Sequence, residues 1–123
     1  MLVMYSNPAD AQAMTKEQFR EVMEKHEKLG QALEQSNELL NGAGLAYLKD
    51  SMSVQLEGEK PLVTNAKSPE SGEEMTAYYV VECTDQERAI AIAKQILDFH
   101  VTRVEVRFIH DAFGMSTESP STS

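Results

Sequence analysis

The sequence predicts one α+β domain in which short strands are combined with two amphipathic helices. Two segments carry apolar residues at three- and four-residue steps, which is the spacing of a helix that buries one face. Several shorter segments have the composition of strands and are bounded by Gly, Pro and Asn, which favour turns. With 123 residues and 41% apolar composition, the chain has the size of one folded domain and is not mainly disordered.

The first helix is predicted over about residues 15–40. Thr15 and Gln18 form the T-x-x-Q pattern of a capping box. The segment 41–44, Asn-Gly-Ala-Gly, is expected to end this helix, because glycine adopts the left-handed cap conformation at little cost. The apolar stripe of the helix consists of Phe19, Val22, Met23, Leu29 and Leu33.

A second helix is predicted to begin at Thr84, which forms another capping-box pattern with Glu87. Asp85 adds a negative charge near the positive end of the helix dipole. The stripe that this helix is expected to bury consists of Ala89, Ile90, Ala93, Ile96 and Leu97.

Strands are predicted before, between and after the helices. The segment 75–83 is apolar on both faces and is expected to be the central strand. In the segment 102–110 apolar and charged residues alternate, so that Arg103 and Arg107 share one face. A turn at 58–60 is expected to form a hairpin. The other predicted strands are 2–5, 45–48, 52–57 and 61–64.

This order of elements is the β-α-β-β-α-β order of a ferredoxin-like fold, with the hairpin as an insertion. Both helices are expected to cover one face of an antiparallel sheet. The other face and the open edges are then expected to be covered by a second copy in a homodimer with twofold symmetry. We assign the domain to residues 1–113 and expect residues 114–123 to be a disordered polar tail.

The charge and composition exclude several classes of function. Eleven Lys and Arg against 20 Asp and Glu give a net charge of −9, which argues against nucleic-acid binding. No apolar run approaches the roughly 18 residues of a membrane span, and the first ten residues lack the features of a signal peptide. Since Cys83 is the single cysteine and has no disulfide partner in the chain, we expect a cytoplasmic protein.

No metal or cofactor is predicted. The histidines lack the H-x-x-x-H and H-E-x-x-H spacings that are typical of metal sites. The sequence also lacks the G-x-G-x-x-G, P-loop and G-x-S-x-G motifs, which argues against nucleotide binding and serine hydrolysis.

His26 is the candidate for acid–base catalysis. Its spacing from Val22 and Leu29 places it on the apolar stripe, near the sheet, and histidine titrates near neutral pH. It is therefore a candidate general acid or base, and the alternative is a buried structural histidine. An orienting partner would come from Asp10 or Asp50, both of which are also typical turn residues.

A second group of candidates lies on the predicted strands. Arg103 and Arg107 have the chemistry to bind a carboxylate or phenolate ligand, and the alternative is a cross-strand ladder of ion pairs that includes Glu105. Aromatic side chains on neighbouring strands are candidates to stack on a small polar or aromatic ligand, and the alternative is packing in the core or at a dimer interface. These side chains are Tyr5, Tyr78 and Tyr79.

From Leu2 to about Asp111 the chain resembles the YCII-related superfamily, and specifically its DGPF branch. Residues 2–5 resemble the opening strand, and His26 with the glycine-containing segment 42–45 resembles the first helix and its exit. The other positions that carry the resemblance are 62–64, Glu70, Glu73, Met75, Tyr78, Tyr79 and 104–107.

The chain departs from this branch at the motif that names it. Where the branch has Asp-Gly-Pro-Phe, this chain has Asn65, Ala66, Lys67 and Ser68. Asn65 retains an acceptor oxygen that is suited to substrate binding, but it cannot take up a proton at neutral pH.

The resemblance implies a ferredoxin-like protomer, a dimer that forms an α/β barrel, and a cleft lined by the histidine of the first helix. We therefore expect a small-molecule cleft protein of unassigned activity, and cofactor-independent acid–base chemistry of the lyase or isomerase type fits a site that lacks a cofactor motif. The alternative is a non-catalytic module that binds a small metabolite or regulates in response to one.

Overall fold

The computed structural model describes residues 1–111, which form an α+β structure with antiparallel sheets. Its strands are β1 (Leu2–Ser6), β2 (Leu39–Gly44), β3 (Met52–Glu57), β4 (Lys60–Asn65), β5 (Glu74–Val81) and β6 (Arg103–Val106). Its helices are α1 (Pro8–Gln12), α2 (Lys16–Gln35) and α3 (Gln86–Ile96), and a short 3₁₀ turn spans Leu48–Asp50. The predicted tail at 114–123 and the boundary at 113 lie outside the described residues.

Four strands form one sheet in the order β2-β5-β1-β6, and each neighbouring pair is antiparallel. This arrangement is compatible with the ferredoxin-like fold expected from the order of elements. β5 has a partner on each side, as predicted for the central strand, whereas β2 and β6 are the edges. β3 and β4 pair in a separate two-stranded sheet, so the inserted hairpin is present.

The core lies between one face of the four-stranded sheet and helices α2 and α3. Leu2 and Met4 of β1 are almost fully buried, together with Leu33 of α2 and Ile92 and Ile96 of α3. Burying a side chain of this size stabilises the fold by roughly 1.5–3 kcal/mol. These contacts therefore fix both helices on the same face of the sheet. Within the described residues, no helix is both long and apolar enough to cross a membrane.

The first long helix ends earlier than the sequence predicts. α2 begins where expected, and Thr15 and Gln18 form both hydrogen bonds of the capping box. The helix ends at Gln35, however, and not near residue 40. The segment 41–44 lies in β2 and is not the helix cap.

Asn37 explains this early end. Its φ is 61°, in the left-handed region that asparagine tolerates better than most residues. The backbone N–H groups of Asn37 and Glu38 donate to the carbonyl oxygens of Glu34 and Leu33, which is the hydrogen-bond pattern of a Schellman motif. The chain therefore turns here, and the leucines that follow enter a strand.

The second helix also differs in its first residue and in its buried face. Asp85, not Thr84, is the N-cap, and its carboxylate accepts from the backbone N–H of Arg88 at 2.9 Å. A carboxylate is favoured here by the positive end of the helix dipole. Ile90 and Leu97 were expected in the core but are 36% and 51% exposed. The residues that α3 buries are Ala89, Ile92, Ala93 and Ile96.

Two predicted strands are also corrected. Residues 45–48 are not a strand, because the chain leaves the sheet after Leu45 and enters the 3₁₀ turn. The last strand is shorter than the predicted 102–110. It spans Arg103–Val106 and pairs with residues 2–5 of β1, and Arg107 then exchanges backbone hydrogen bonds with Met1. Pro8 ends β1 as expected but also begins α1, which the sequence reasoning did not identify.

An ion pair connects the start of β2 to α3. The Arg88 guanidinium donates from Nε and Nη2 to the two carboxylate oxygens of Glu38, each at 2.8 Å. Hydrogen bonds from Arg88 and from the Ser36 hydroxyl lower the pKa of Glu38 to about 2.

We expect Glu38→Gln to lower the free energy of unfolding by about 1 kcal/mol near pH 7, since Arg88 is partly exposed and solvent screens the pair. The folded-state pKa of Glu38 lies below its unfolded value of 4.5. The stabilisation by the ion pair is therefore complete above pH 4.5 and is lost as the pH falls toward 2. Urea unfolding of both proteins between pH 7 and pH 3 measures this. A difference that does not shrink with acidification contradicts the assignment.

Candidate functional site

The candidate site is built around a hydrogen bond between a helix and the central strand. Nδ1 of His26, on α2, lies 2.9 Å from the hydroxyl oxygen of Tyr79, on β5. His26 is on the side of α2 that carries the buried residues Val22 and Leu29, which turns its ring toward the sheet. Tyr79 packs against the core, so both rings lie on the helix side of β5.

These two side chains line a cleft of about 370 Å³ between α2 and the β2 edge of the sheet. Such a volume is at the small end of ligand pockets in proteins. The cleft has a largely apolar wall with few polar groups, among which the imidazole of His26 and the phenol of Tyr79 are joined by the hydrogen bond. Its other lining residues are Met4, Met23, Gly42, Ala43, Gly44, Ala77 and Tyr78.

Phe99 fixes the imidazole from a second direction. Its ring centroid lies 4.4 Å from that of His26, with the ring planes inclined at 55°. Phe99 is itself buried, so it provides a rigid contact. With Nδ1 bonded to Tyr79, Nε2 is the ring nitrogen that has no hydrogen bond to residues 1–111. That nitrogen is the one available to a ligand.

Burial keeps both groups of the pair neutral. It lowers the pKa of His26 and raises the pKa of Tyr79, because a partly desolvated site disfavours the imidazolium and the phenolate alike. A neutral imidazole has one donor and one acceptor nitrogen, and a phenol both donates and accepts. The pair can therefore present either a donor or an acceptor at Nε2.

We expect His26 to titrate below its ordinary pKa of 6.5. The unfolded chain takes up this proton at a higher pH than the folded chain does. The free energy of unfolding is therefore unaffected by His26 above pH 6.5 and falls as the pH drops from 6.5 toward the lower folded-state pKa. Following the His26 Cε1 proton by NMR from pH 8 to 4 measures the pKa. A midpoint at or above 6.5 shows that the ring is solvated and contradicts the proposed geometry.

Gly42 on β2 makes room for the Tyr79 ring. A Cβ atom at this position would lie 2.9 Å from Cδ1 of Tyr79 and 3.0 Å from the carbonyl oxygen of Tyr78, which is closer than side chains pack. A glycine at this position therefore allows β2 to pair beside Tyr79 without displacing the phenol from His26.

Gly42→Ala is expected to lower the free energy of unfolding by about 1–3 kcal/mol, the usual cost of inserting a methyl group into a packed site. The matched control is Gly44→Ala on the same strand, where the new Cβ meets no atom within 4 Å. Thermal unfolding and the His26 NMR signal of both variants provide the measurement. Equal behaviour of the two variants is inconsistent with close packing at Gly42.

The structure places Arg103 and Tyr5 in a different cluster. The Arg103 guanidinium is paired with Glu73 at 2.7 Å and with Glu105, and it lies 3.8 Å above the Tyr5 ring. The Tyr5 hydroxyl donates to Glu105. The hydrogen bonds to the two carboxylates raise the pKa of Arg103. This is the ion-pair arrangement given above as the alternative to ligand binding, so an anionic ligand would have to displace carboxylates already bound.

The remaining predicted residues are distributed over the molecule. Tyr78 lines the His26 cleft. Asn65 ends β4, where it is exposed and lines another groove beside Thr64. Arg107 follows β6 and lines a third groove, next to Cys83. Because side chains alternate along β5, the Tyr78 side chain projects to the sheet face opposite Tyr79, and Asn65 and Arg107 lie outside the cleft.

The partner of His26 is a phenol and not a carboxylate. Within the described residues, neither Asp10 nor Asp50 forms a hydrogen bond with the imidazole. The sequence pattern indicates Tyr79 only as a stacking residue, and it gives no signal for Phe99. Because side chains alternate along β5, one of the adjacent residues Tyr78 and Tyr79 is expected to face α2. The alternation does not indicate which one.

A larger groove of about 520 Å³ lies between α2 and α3, but its chemistry is less suited to catalysis. Lys25, on its rim, donates to the carboxylate of Asp98 at 3.1 Å. The ionisable side chains that line it are three lysines and this aspartate, with no histidine among them. Residues 1–111 contain no group of three or more His, Cys, Asp and Glu side chains placed to hold a metal ion.

No protein-family model matches this chain, and the search of curated proteins finds no significant match.

Proposed function

We propose that the chain is a YCII-related protein that binds a small polar or aromatic molecule in the His26 cleft, where the imidazole acts as a general acid–base group. The observation that carries this proposal is the 2.9 Å contact between His26 Nδ1 and the Tyr79 hydroxyl at the wall of the cleft. A neutral imidazole held by a second group is the arrangement that proton transfer requires.

The proposed chemistry is a proton transfer of the lyase or isomerase type. When Nδ1–H donates to the Tyr79 oxygen, Nε2 is unprotonated and accepts a proton from a C–H or O–H group of the substrate. The imidazolium then returns this proton at another substrate atom, which gives an isomerisation, or to a leaving group, which gives an elimination. Because burial disfavours the imidazolium, it releases the proton readily.

The strand order β2-β5-β1-β6 and the position of His26 on the first long helix support a ferredoxin-like protomer of the DGPF branch. We further propose that two copies associate through the open sheet face to form a dimeric α/β barrel. The free thiol of Cys83 supports a cytoplasmic location.

A non-catalytic binding module is the second candidate. It is favoured by the position of Asn65, which stands where the DGPF branch has aspartate and which lies outside the His26 cleft. The described residues also bring no carboxylate into hydrogen-bond contact with His26. Such a protein would use the imidazole and the phenol for recognition alone.

A ligand screen with matched histidine variants tests the proposal. Small neutral polar and aromatic compounds are screened by thermal shift, and each hit is then assayed for chemical conversion. The proteins are the native chain, His26→Ala and the control His110→Ala, since His110 is exposed and lies far from His26 in the sequence.

The outcomes distinguish the two candidate functions. If the protein is an enzyme, all three proteins bind the hits but His26→Ala loses conversion. A binding module shows no conversion and loses affinity in His26→Ala. Hits that bind equally well to all three proteins without conversion overturn both.

A further inference from the structure

The β3–β4 hairpin has an apolar face that residues 1–111 leave uncovered. Its exposed fractions are 60% for Met52, 68% for Val54, 71% for Leu56 and 58% for Val63. Val54 and Val63 lie directly opposite each other in the pairing register, and Leu56 lies opposite Pro61. Since side chains alternate along a strand, these five residues share one face, which we call the hairpin strip.

The hairpin strip contains no charged residue. The hairpin and its flanks, residues 51–67, carry two acidic residues (Glu57 and Glu59) and two basic ones (Lys60 and Lys67), so the segment is neutral in a chain of net charge −9. Glu57 pairs opposite Lys60, and alternation places both on the other face. Two copies of an acidic chain repel each other over most of their surface, but they can meet at this strip without that repulsion.

The base of the hairpin is held firmly. The Glu74 carboxylate, almost fully buried, accepts from the backbone N–H of Leu48 and from the Ser68 hydroxyl, each at 2.8 Å. The backbone N–H of Ala66 also donates to the carbonyl of Ser51. Both ends of the insertion are therefore tied down, so the outward orientation of the strip is part of the fold.

A two-stranded hairpin with an uncovered apolar face is at best marginally stable in water and needs a second layer. We propose that the hairpin strip packs face to face against the hairpin strip of a second copy of this chain. A twofold axis makes such a contact self-complementary, and two stacked hairpins form a small sandwich. Interfaces between identical chains are more apolar than other protein–protein interfaces, and the hairpin strip is apolar as well. The strip is small, so the association is reversible.

This inference adds a specific contact to the proposed homodimer and does not depend on the His26 cleft. Sedimentation velocity from low micromolar to submillimolar concentration tests it on the full chain. The double variant Val54→Lys, Leu56→Lys places charge on the strip. The matched control, Ser53→Lys with Gln55→Lys, places the same charge on the opposite face of β3.

The native chain and the control are expected to become dimeric as concentration rises, whereas the strip variant raises the dissociation constant by more than about tenfold. A native chain that stays monomeric overturns the proposal. A strip variant that dimerises like the native chain also overturns it, while leaving association through the sheet face in place. Circular dichroism verifies folding. If the lysine variant unfolds, Val54→Thr with Leu56→Thr replaces it, and unchanged dimerisation of that variant contradicts the contact.

Ligand affinity at the His26 cleft, measured on the same variants, separates this proposal from the proposed function. The hairpin lies outside the lining of that cleft, so affinity is expected to be equal in all of them. Loss of dimerisation with full affinity supports the hairpin contact and leaves the cleft assignment intact.

Discussion

Replacing His26 by alanine is expected to lower kcat by a factor of about 10²–10⁴ on a substrate that the cleft converts, which is the usual contribution of a general acid–base group. Among the described residues that line the cleft, His26 has the side chain whose ordinary pKa lies nearest to neutral pH. Affinity should change much less than kcat, because the apolar wall and the Tyr79 hydroxyl remain. Steady-state kinetics on a hit from the ligand screen measures the effect.

Tyr79→Phe distinguishes a catalytic pair from a lone histidine. It removes the hydroxyl that lies 2.9 Å from Nδ1 and keeps the ring that fills the space beside Gly42. We expect kcat to fall and its pH profile to shift, since the imidazole loses the group that fixes its tautomer. If kcat and the pH profile match those of the native chain, Tyr79 has no part in the reaction.

Leu33→Ala is expected to lower the free energy of unfolding by about 2–5 kcal/mol, because it leaves a cavity in the core. Leu33 has no exposed surface and packs among the helix and sheet residues that hold α2 over β5. The same substitution should weaken ligand binding, since the His26–Tyr79 distance depends on where α2 sits. Chemical denaturation and the thermal shift of a ligand measure the two effects.

The control for this prediction is Leu97→Ala, at a leucine that is 51% exposed just after α3. Its loss of stability should be a small fraction of that caused by Leu33→Ala. Comparable losses from the two substitutions are inconsistent with a core centred between the sheet and the two helices.

Local signals predicted the start of the first helix but not its end. Thr15 and Gln18 define a capping box that depends on four consecutive residues, and the structure contains it. The end depends on Asn37 taking a left-handed conformation, which asparagine permits but does not require. Leu39 and Leu40 continue the helical spacing in the sequence but lie in β2 in the structure, where Leu39 pairs with Val81, because the sheet provides strand partners that a local pattern does not reveal.

The sequence predicted one residue of the candidate site but not its partner. The apolar stripe identified His26 as a residue that faces the sheet, and this follows from helical spacing alone. Its partner depends on which strand lies beneath α2 and on which side of that strand each of Tyr78 and Tyr79 projects. These are properties of tertiary packing, so the sequence offered two aspartates as partners where the structure has a phenol.

His26 and Tyr79 lie at the wall of the cleft that we propose binds a small molecule. The most direct test follows the imidazole nitrogen shifts of His26 by NMR while a hit from the ligand screen is added to the native chain and to Tyr79→Phe. We predict shifts at His26 that saturate with ligand, with weaker binding in the variant. A ligand that saturates the protein and leaves both His26 nitrogens unmoved, or a screen in which no compound moves them, contradicts the claim.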